Sequence, residues 1–157
     1  MRGAILIATF LIASVSAGSL SSNSARAEWL RYKDPRFGTS TLYPSDLLSE
    51  RTATETGATF SGTGGYLEIS AAHRGIYSIR ELRGLIAATP GYDNITYSPE
   101  GRNWLVVSGY RGDDIFYEKY FVKNGIVEGF ALEYSSAARK VFDPVVETIE
   151  DTFRPGR

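Results

Sequence analysis

Apolar residues recur with two different spacings along the chain, and the clearest runs lie in its second half. Four stretches rich in aromatic and β-branched residues predict consecutive strands, because such side chains suit a pleated surface. These stretches are residues 95–98, 103–110, 115–123 and 126–134. Asn124-Gly125 separates the last two stretches, and both of these residues accept the positive φ of a type I′ turn. The pattern therefore predicts a tight hairpin in which Lys123 faces Ile126.

This register distributes apolar side chains over both faces of the hairpin, because successive residues of a strand point to opposite sides. One face carries Ile115, Tyr117, Phe121, Ile126, Phe130, Leu132 and Tyr134. The other face carries Phe116, Tyr120, Val122, Val127 and Ala131, together with Glu118 and Glu133. A sheet with one side in water would be polar on that side. We therefore expect helices or loops to cover part of each face.

Two helices are predicted where the apolar residues take a helical spacing instead. The first begins at Ser78, whose hydroxyl can accept from the N–H of Glu81 while the Glu81 carboxylate reaches back to the N–H of Ser78. Pro90 ends it. The second is predicted to begin at Asp143-Pro144, because aspartate caps helix starts and proline is tolerated at the first helical position. Its apolar stripe is Val145, Val146, Ile149 and Phe153, and its outward residues are Glu147, Glu150 and Asp151.

The first half of the chain carries shorter strand signals. We predict an ordered lead-in over residues 28–36, a strand over 39–43, a surface loop over 48–57, and a hairpin formed by 58–61 and 66–71. The order of elements is then βββ-α-ββββ-α. This order predicts the α+β class, with an antiparallel sheet of about six to seven strands in a single globular domain over residues 28–157.

The first 27 residues have the composition of an export signal. Arg2 supplies a positive start, residues 4–12 form an apolar run, and a serine-rich stretch ends in the small-x-small site Ala25-Arg26-Ala27. A membrane-anchoring helix is the alternative, but a bilayer core needs about 20 apolar residues and serines interrupt this run. We therefore predict a signal peptide over residues 1–27 and a periplasmic or secreted product. No later segment has the length and apolarity of a membrane span.

Composition removes several classes of chemistry. The 157 residues contain no cysteine and one histidine, which excludes a disulfide framework, a thiol nucleophile, a thiolate zinc site and a multi-histidine metal centre. An exported domain without disulfides favours a bacterial periplasm. The formal charge of −1 becomes more negative once Arg2 and Arg26 are removed with the signal peptide. A mildly acidic domain is a poor candidate for binding nucleic acid.

Catalytic motifs are sparse as well. His73 is not accompanied by a Gly-x-Ser-x-Gly elbow, and the glycine-rich residues 62–65 join two strands without the lysine that phosphate binding requires. Asp113-Asp114 lacks the additional oxygen ligands of a calcium loop. We therefore predict no catalytic residue, no metal site and no cofactor.

One enzymatic alternative stays open, namely a small periplasmic hydrolase that uses carboxylates. The acids available to it are Asp113, Asp114, Glu118 and Glu133. Because Arg111 and Lys119 lie close to these acids in the sequence, a solvated salt-bridge cluster is the other interpretation.

The most suggestive feature is the density of aromatic residues around the predicted strands. Tyrosine and tryptophan combine a large apolar area with a polar group, which suits a recognition surface and equally suits the core of a small sheet domain. The aromatic residues are Tyr97, Trp104, Tyr110, Tyr117, Tyr120 and Tyr134. The candidate ligand-binding residues are Tyr97, Trp104, Tyr110, Arg111, Tyr117 and Lys119.

A wider pattern covers most of residues 29–153. Its parts are Arg36-Phe37-Gly38, Tyr43-Pro44, Asn103-Trp104, Phe116-Tyr117-Glu118-Lys119, Tyr134, Phe142-x-Pro144 and Thr152-Phe153. In this pattern the chain resembles the PsbP/Mog1-like group of small proteins, whose first motif is Phe-Gly-x-x-x-x-Tyr-Pro. The resemblance implies an α/β/α sandwich around an antiparallel sheet and a non-enzymatic binding or assembly role. Its motifs mark packing and turns, so it transfers no functional residue.

These observations predict an exported, non-enzymatic binding or accessory protein that contacts a protein or envelope ligand through its aromatic-rich sheet and adjacent loops. The carboxylate-dependent hydrolase is the alternative, and a protective envelope protein without a discrete site is a third reading. Two acids facing each other in a deep pocket would favour the enzyme, whereas a shallow aromatic patch would favour binding.

Overall fold

A computed structural model describes residues 27–156. The predicted signal peptide therefore lies outside the described residues, apart from Ala27. The described strands are β1 (Trp29–Lys33), β2 (Ser40–Pro44), β3 (Glu50–Ala53), β4 (Gly57–Gly62), β5 (Gly65–Ile76), β6 (Ile95–Tyr97), β7 (Trp104–Arg111), β8 (Asp114–Lys123) and β9 (Gly125–Ser135). The helices are α1 (Ile79–Ala87) and α2 (Arg139–Thr152), and a 3₁₀ turn over Ser136–Ala138 leads into α2.

Seven strands form one antiparallel sheet in the order β3-β4-β5-β9-β8-β7-β6, and β1 pairs with β2 in a separate hairpin. The α+β class and the antiparallel sheet predicted from the sequence are confirmed. Each predicted strand of the second half is present, with its bounds shifted by at most one residue. The sheet places β6 at one edge and β3 at the other.

The β8–β9 hairpin has the register that its turn predicts. Asn124 and Gly125 both have positive φ, 53° and 78°, as a type I′ turn requires. Lys123 pairs with Ile126, and the register continues without a shift to the pair Asp114 and Ser135. The division of apolar residues between two faces therefore follows from this one turn.

Helix α1 covers one face of the sheet. Its start is confirmed, because the N–H of Glu81 donates to Ser78 Oγ over 3.2 Å. The Glu81 carboxylate accepts instead from the N–H of Tyr77, one residue before the predicted partner. The α1 face buries Ile76, Ile79, Leu82, Ile86, Tyr92, Leu105, Val107, Phe116 and Val122.

Helix α2 and the β1–β2 hairpin cover the opposite face, which holds the larger of the two cores. The hairpin contributes Tyr32 and Tyr43, whose ring centroids lie 5.6 Å and 4.3 Å from that of Phe60. The helix contributes Phe142, Val145, Val146 and Ile149. The sheet therefore has one helix on each face. This is the sandwich that the apolar residues on both faces of the β8–β9 hairpin predict.

Three predicted segments differ from the structure. The predicted lead-in contains strand β1 (Trp29–Lys33), so five strands rather than three precede α1. Residues Glu50–Ala53 form a strand rather than part of a loop, and Leu48 before it is fully buried. All four residues of β3 are exposed, so the edge strand is held by backbone pairing to β4 and carries no apolar alternation.

Helix α2 begins at Arg139, four residues before the predicted start at Asp143-Pro144. Ser135 Oγ accepts from the N–H of Ala137 and starts the 3₁₀ turn, and Phe142 then packs against the backbone of Gly65. Pro144 lies inside the helix on its exposed side, where water can reach the carbonyl that lacks its usual N–H partner.

The segment after α2 is bound to the β1–β2 region. Ser40 and Arg154 exchange two backbone hydrogen bonds of 3.0 Å and 2.8 Å. The N–H of Gly156 donates to Oε1 of the buried Glu128, which also accepts from Thr39 Oγ1. This segment therefore links the hairpin to the middle of the sheet.

Candidate binding groove

An open groove of about 450 Å³ runs between α2 and the strands β6–β9 on the α2 face. Its lining residues are Thr96, Tyr97, Ser108, Gly109, Tyr110, Ile115, Tyr117, Tyr134, Arg139, Asp143, Val146, Glu147 and Glu150. The sheet supplies one wall and the helix supplies the other. We call this feature the tyrosine groove.

Four tyrosines from four neighbouring strands line the sheet wall. The antiparallel register places Tyr110 beside Ile115, and Tyr117 beside both Ser108 and Leu132, so their side chains share one face. Tyr97 on the edge strand is 56% exposed and Tyr110 is 36% exposed. The groove therefore presents aromatic area to solvent at the end nearest β6.

The two inner tyrosines are hydrogen-bonded to the helix wall. Tyr134 donates its hydroxyl hydrogen to Asp143 Oδ1 over 2.8 Å, and burial together with this bond raises its pKa. Burial, followed by the charge of Glu150, also raises the pKa of Tyr117. Both phenols stay protonated at neutral pH and act as donors towards α2.

Three carboxylates stand in a stripe along the helix wall, at positions 143, 147 and 150. The outer two are neutralised within the protein. Asp143 pairs with Arg139 at 3.1 Å, and Glu150 pairs with Lys119 at 2.7 Å. Glu147, between them, is exposed and forms no ion pair within residues 27–156.

Lys119 and Trp104 lie beyond one end of the groove, and neither residue lines it. Lys119 Nζ is 5.3 Å from the Trp104 ring centroid, close enough for a cation–π contact. The Trp104 ring also packs against Gly101. The structure thus brings three of the six sequence-predicted residues together in the groove, namely Tyr97, Tyr110 and Tyr117, and places Lys119 beside them through Glu150.

Arg111 lies on the opposite face of the sheet, in a buried ionic cluster beneath the α1 side. It donates to Glu118 Oε1 over 2.8 Å and to Glu133 Oε2 over 2.7 Å. Its guanidinium carbon is 4.2 Å from the Phe116 ring centroid and 4.8 Å from that of Tyr92. The salt bridges expected around these acids are present, but they are buried rather than solvated.

Both carboxylate oxygens of Glu118 are occupied. Oε1 accepts from Arg111, and Oε2 accepts from the hydroxyls of Tyr92 and Tyr120, each at 2.7 Å. Burial, followed by the charge of Glu118, raises the pKa of both tyrosines, so they remain donors. The hydrolase alternative needs an acid free to take or give a proton, and Glu118 already has three partners.

The remaining acids of that alternative are Asp113, Asp114 and Glu133. Asp113 and Asp114 lie at the β7–β8 turn, where Gly112 has a φ of 60°. Glu133 is bound to Arg111, and burial, opposed by this bond, leaves its pKa raised. Among residues 27–156, no group of three histidine or acidic side chains has the geometry of a metal site.

Sequence reasoning missed the helix wall of the groove. Asp143 was expected to cap a helix, while Glu147 and Glu150 were expected to point outward into solvent. The spacing of 143, 147 and 150 places them on one stripe of a helix, which is visible in the sequence. Which strands that stripe faces depends on how α2 packs against the sheet, and no local pattern gives this.

The comparisons with known proteins find similarity only at the level of solved structures, where ten chains match this protein. No protein-family model matches the chain, and no curated protein matches it. Among solved structures, it resembles the cyanobacterial PsbP (CyanoP) of Synechocystis sp. PCC 6803, with a TM-score of 0.61 and 12% identity over 87% of this chain and 98% of that chain. The fold is PsbP-like.

At this low identity the likeness shows the fold alone. The PsbP part of the predicted resemblance is confirmed for the architecture, while the Mog1 part stays a prediction. The helices within residues 27–156 are all too short or too polar to cross a membrane.

Proposed function

We propose that this chain is a non-enzymatic binding or accessory protein of the periplasm or the extracellular space. Its contact surface for a protein or envelope ligand is the tyrosine groove. The observation that carries this proposal is the exposed aromatic wall formed by Tyr97 and Tyr110 beside an open groove of about 450 Å³. Exposed tyrosines at a concave site supply contact area with little loss of side-chain entropy.

The distribution of the acids supports binding over hydrolysis. Glu118 and Glu133 share one arginine and lie on the other side of the sheet from the groove. The groove itself holds carboxylates that are paired with cations or exposed to solvent. A non-enzymatic role also agrees with what the PsbP/Mog1-like resemblance implies.

Site-specific photo-crosslinking tests the groove as a contact surface. A benzophenone amino acid replaces Tyr97 in one variant and Tyr77 in another, and each protein is irradiated with envelope extract of the source organism. Tyr77 is the matched control, because it is a tyrosine that is 71% exposed beside α1, away from the groove. We expect a discrete adduct from position 97 and none from position 77.

Equal adduct patterns from the two positions would contradict the proposal, because they would show non-specific contact. Absence of any adduct at position 97 in extract from every cell fraction would contradict it as well.

Export is tested separately on the full chain. N-terminal sequencing of protein recovered from the periplasm or medium should begin at Glu28, the residue after the predicted cleavage site. Recovery of uncleaved chain in the cytoplasm alone would contradict the proposed localisation.

A further inference from the structure

We infer that the tyrosine groove takes an arginine or lysine side chain from an extended segment of a partner protein, with Glu147 as the counter-charge. This inference rests on the proposed function and adds the chemical class of the ligand. It is carried by three features of the groove: its charge, its aromatic wall and its position at a sheet edge.

The charge of the lining is negative. It contains Asp143, Glu147 and Glu150 against a single lining cation, Arg139. Arg139 and Lys119 each hold one of the outer acids, which leaves the negative charge of Glu147 uncompensated within residues 27–156. A cationic side chain would complete the series of ion pairs along α2.

The opposite wall suits a cation as well. The faces of tyrosine rings attract guanidinium and ammonium groups through their quadrupole. The protein already makes this kind of contact within its own structure, between Arg111 and the rings of Phe116 and Tyr92. Tyr97 and Tyr110 offer exposed rings in the same groove as Glu147, so the groove presents a cation with both aromatic faces and a carboxylate.

The position of the groove favours a peptide segment as the carrier of that cation. β6 (Ile95–Tyr97) is an edge strand of the sheet, and among the described residues only β7 pairs with it. Its other backbone edge pairs with no strand of residues 27–156 and can accept a further strand. A segment added there would send alternate side chains towards the groove, where Thr96 and Tyr97 form the rim.

A pair of synthetic peptides tests the inference. Both have the sequence STVTXTVTS, where X is arginine in one and citrulline in the other, so that they differ in charge with nearly the same shape. Binding to the mature chain is followed by NMR titration of backbone amides and tyrosine ring signals. We expect the arginine peptide to shift signals of Thr96, Tyr97 and Tyr110 and to bind about five-fold more tightly than the citrulline peptide.

The counter-charge is tested with Glu147→Gln. This variant should bind the arginine and citrulline peptides with about equal affinity, because the carboxylate that favours the cation is gone. Glu55→Gln is the control, because it removes the same charge from an exposed position between β3 and β4, at the opposite edge of the sheet. It should leave the preference unchanged. Raising the ionic strength should weaken the binding of the arginine peptide and leave the binding of the citrulline peptide unchanged.

The outcomes separate this inference from the proposed function. Equal binding of the two peptides, or an arginine preference that survives Glu147→Gln, would overturn the cation site. Absence of binding by either peptide would overturn it too. The groove as a contact surface is judged independently, by the adduct from position 97 with envelope extract.

Discussion

The two faces of the sheet use the same kinds of side chain in opposite ways. On the α1 face, Arg111, Glu118 and Tyr92 form a buried cluster in which each charge has a partner. On the α2 face, tyrosines and carboxylates line an open groove, and Glu147 is left to solvent.

The difference shows why residue type alone does not locate a site. Glu118 is 3% exposed, and its desolvation is offset by one guanidinium and two phenols. Glu147 keeps its hydration and can exchange it for a ligand. The buried cluster has no polar group left for a ligand, whereas an exposed acid without an ion-pair partner is available for recognition.

The largest effect is expected from Arg111→Met, which breaks the closed cluster. It leaves the Glu118 and Glu133 carboxylates without their shared cation in a buried setting, a change that costs about 3 to 5 kcal/mol in comparable cases. The unfolding free energy, measured with urea, should fall by this amount. Adding Glu118→Gln and Glu133→Gln to the same chain should recover part of it, because the orphaned charges are then removed.

Arg139→Met is the control for this prediction, since it removes an arginine from the exposed ion pair with Asp143. It should change stability far less than Arg111→Met. Equal losses of unfolding free energy from the two variants would contradict the distinction between the buried cluster of the α1 face and the exposed ion pair of the α2 face.

An intermediate effect is expected from Trp104→Ala. The ring is partly buried against Gly101 and lies over Lys119, but it does not line the groove. We expect a loss of about 1 to 2 kcal/mol in urea unfolding and unchanged binding of the arginine peptide. Circular dichroism checks that the variant is folded. If the folded variant no longer binds the peptide, Trp104 belongs to the binding site.

A smaller effect on stability is expected from Tyr97→Ser. The ring is 56% exposed, so the unfolding free energy should stay within about 0.5 kcal/mol of the parent. Binding of the arginine peptide should weaken several-fold, because the aromatic wall loses its outermost ring. A large loss of stability with intact binding would assign Tyr97 to the core instead.

The smallest effect is expected in the pH dependence of the unfolding free energy, and it arises from an acid on the α1 face. Burial, followed by the charge of Glu118, raises the pKa of Glu68, and Arg74 opposes this. Between the unfolded pKa of about 4.3 and the raised folded pKa, the folded chain binds more protons, so this group makes stability fall as pH rises. Glu68→Gln should flatten that fall in urea titrations from pH 4 to 7. A slope that does not change would exclude Glu68 as its source.

Local sequence signals predicted those elements that depend on local contacts. Asn124-Gly125 fixed one register and Ser78 fixed one helix start, because turn and capping geometry involve neighbouring residues. Strand β3 was not predicted, because its four exposed residues carry no apolar alternation and its backbone pairs with β4 only. The start of α2 was misplaced because Phe142 and Gly65, distant in sequence, anchor its first turns.

The sequence predicted residues of the groove's sheet wall, but neither the groove itself nor its helix wall. Tyr97, Tyr110 and Tyr117 could be named, because the strand alternation places them on one side of consecutive strands. Arg111 was named with them, although alternation places it on the opposite face from Tyr110. The acids of α2 were missed because a helix stripe acquires meaning only when its partner surface is known.

The pairing of Arg154 with Ser40 has a practical consequence for handling this protein. A protease that trims the segment after Phe153 would remove the N–H of Gly156 from the buried carboxylate of Glu128 and leave Thr39 as its remaining donor within residues 27–156. Such clipped material would differ little in mass from the parent and yet melt earlier. Intact mass should therefore be verified before any preparation is used to compare variants.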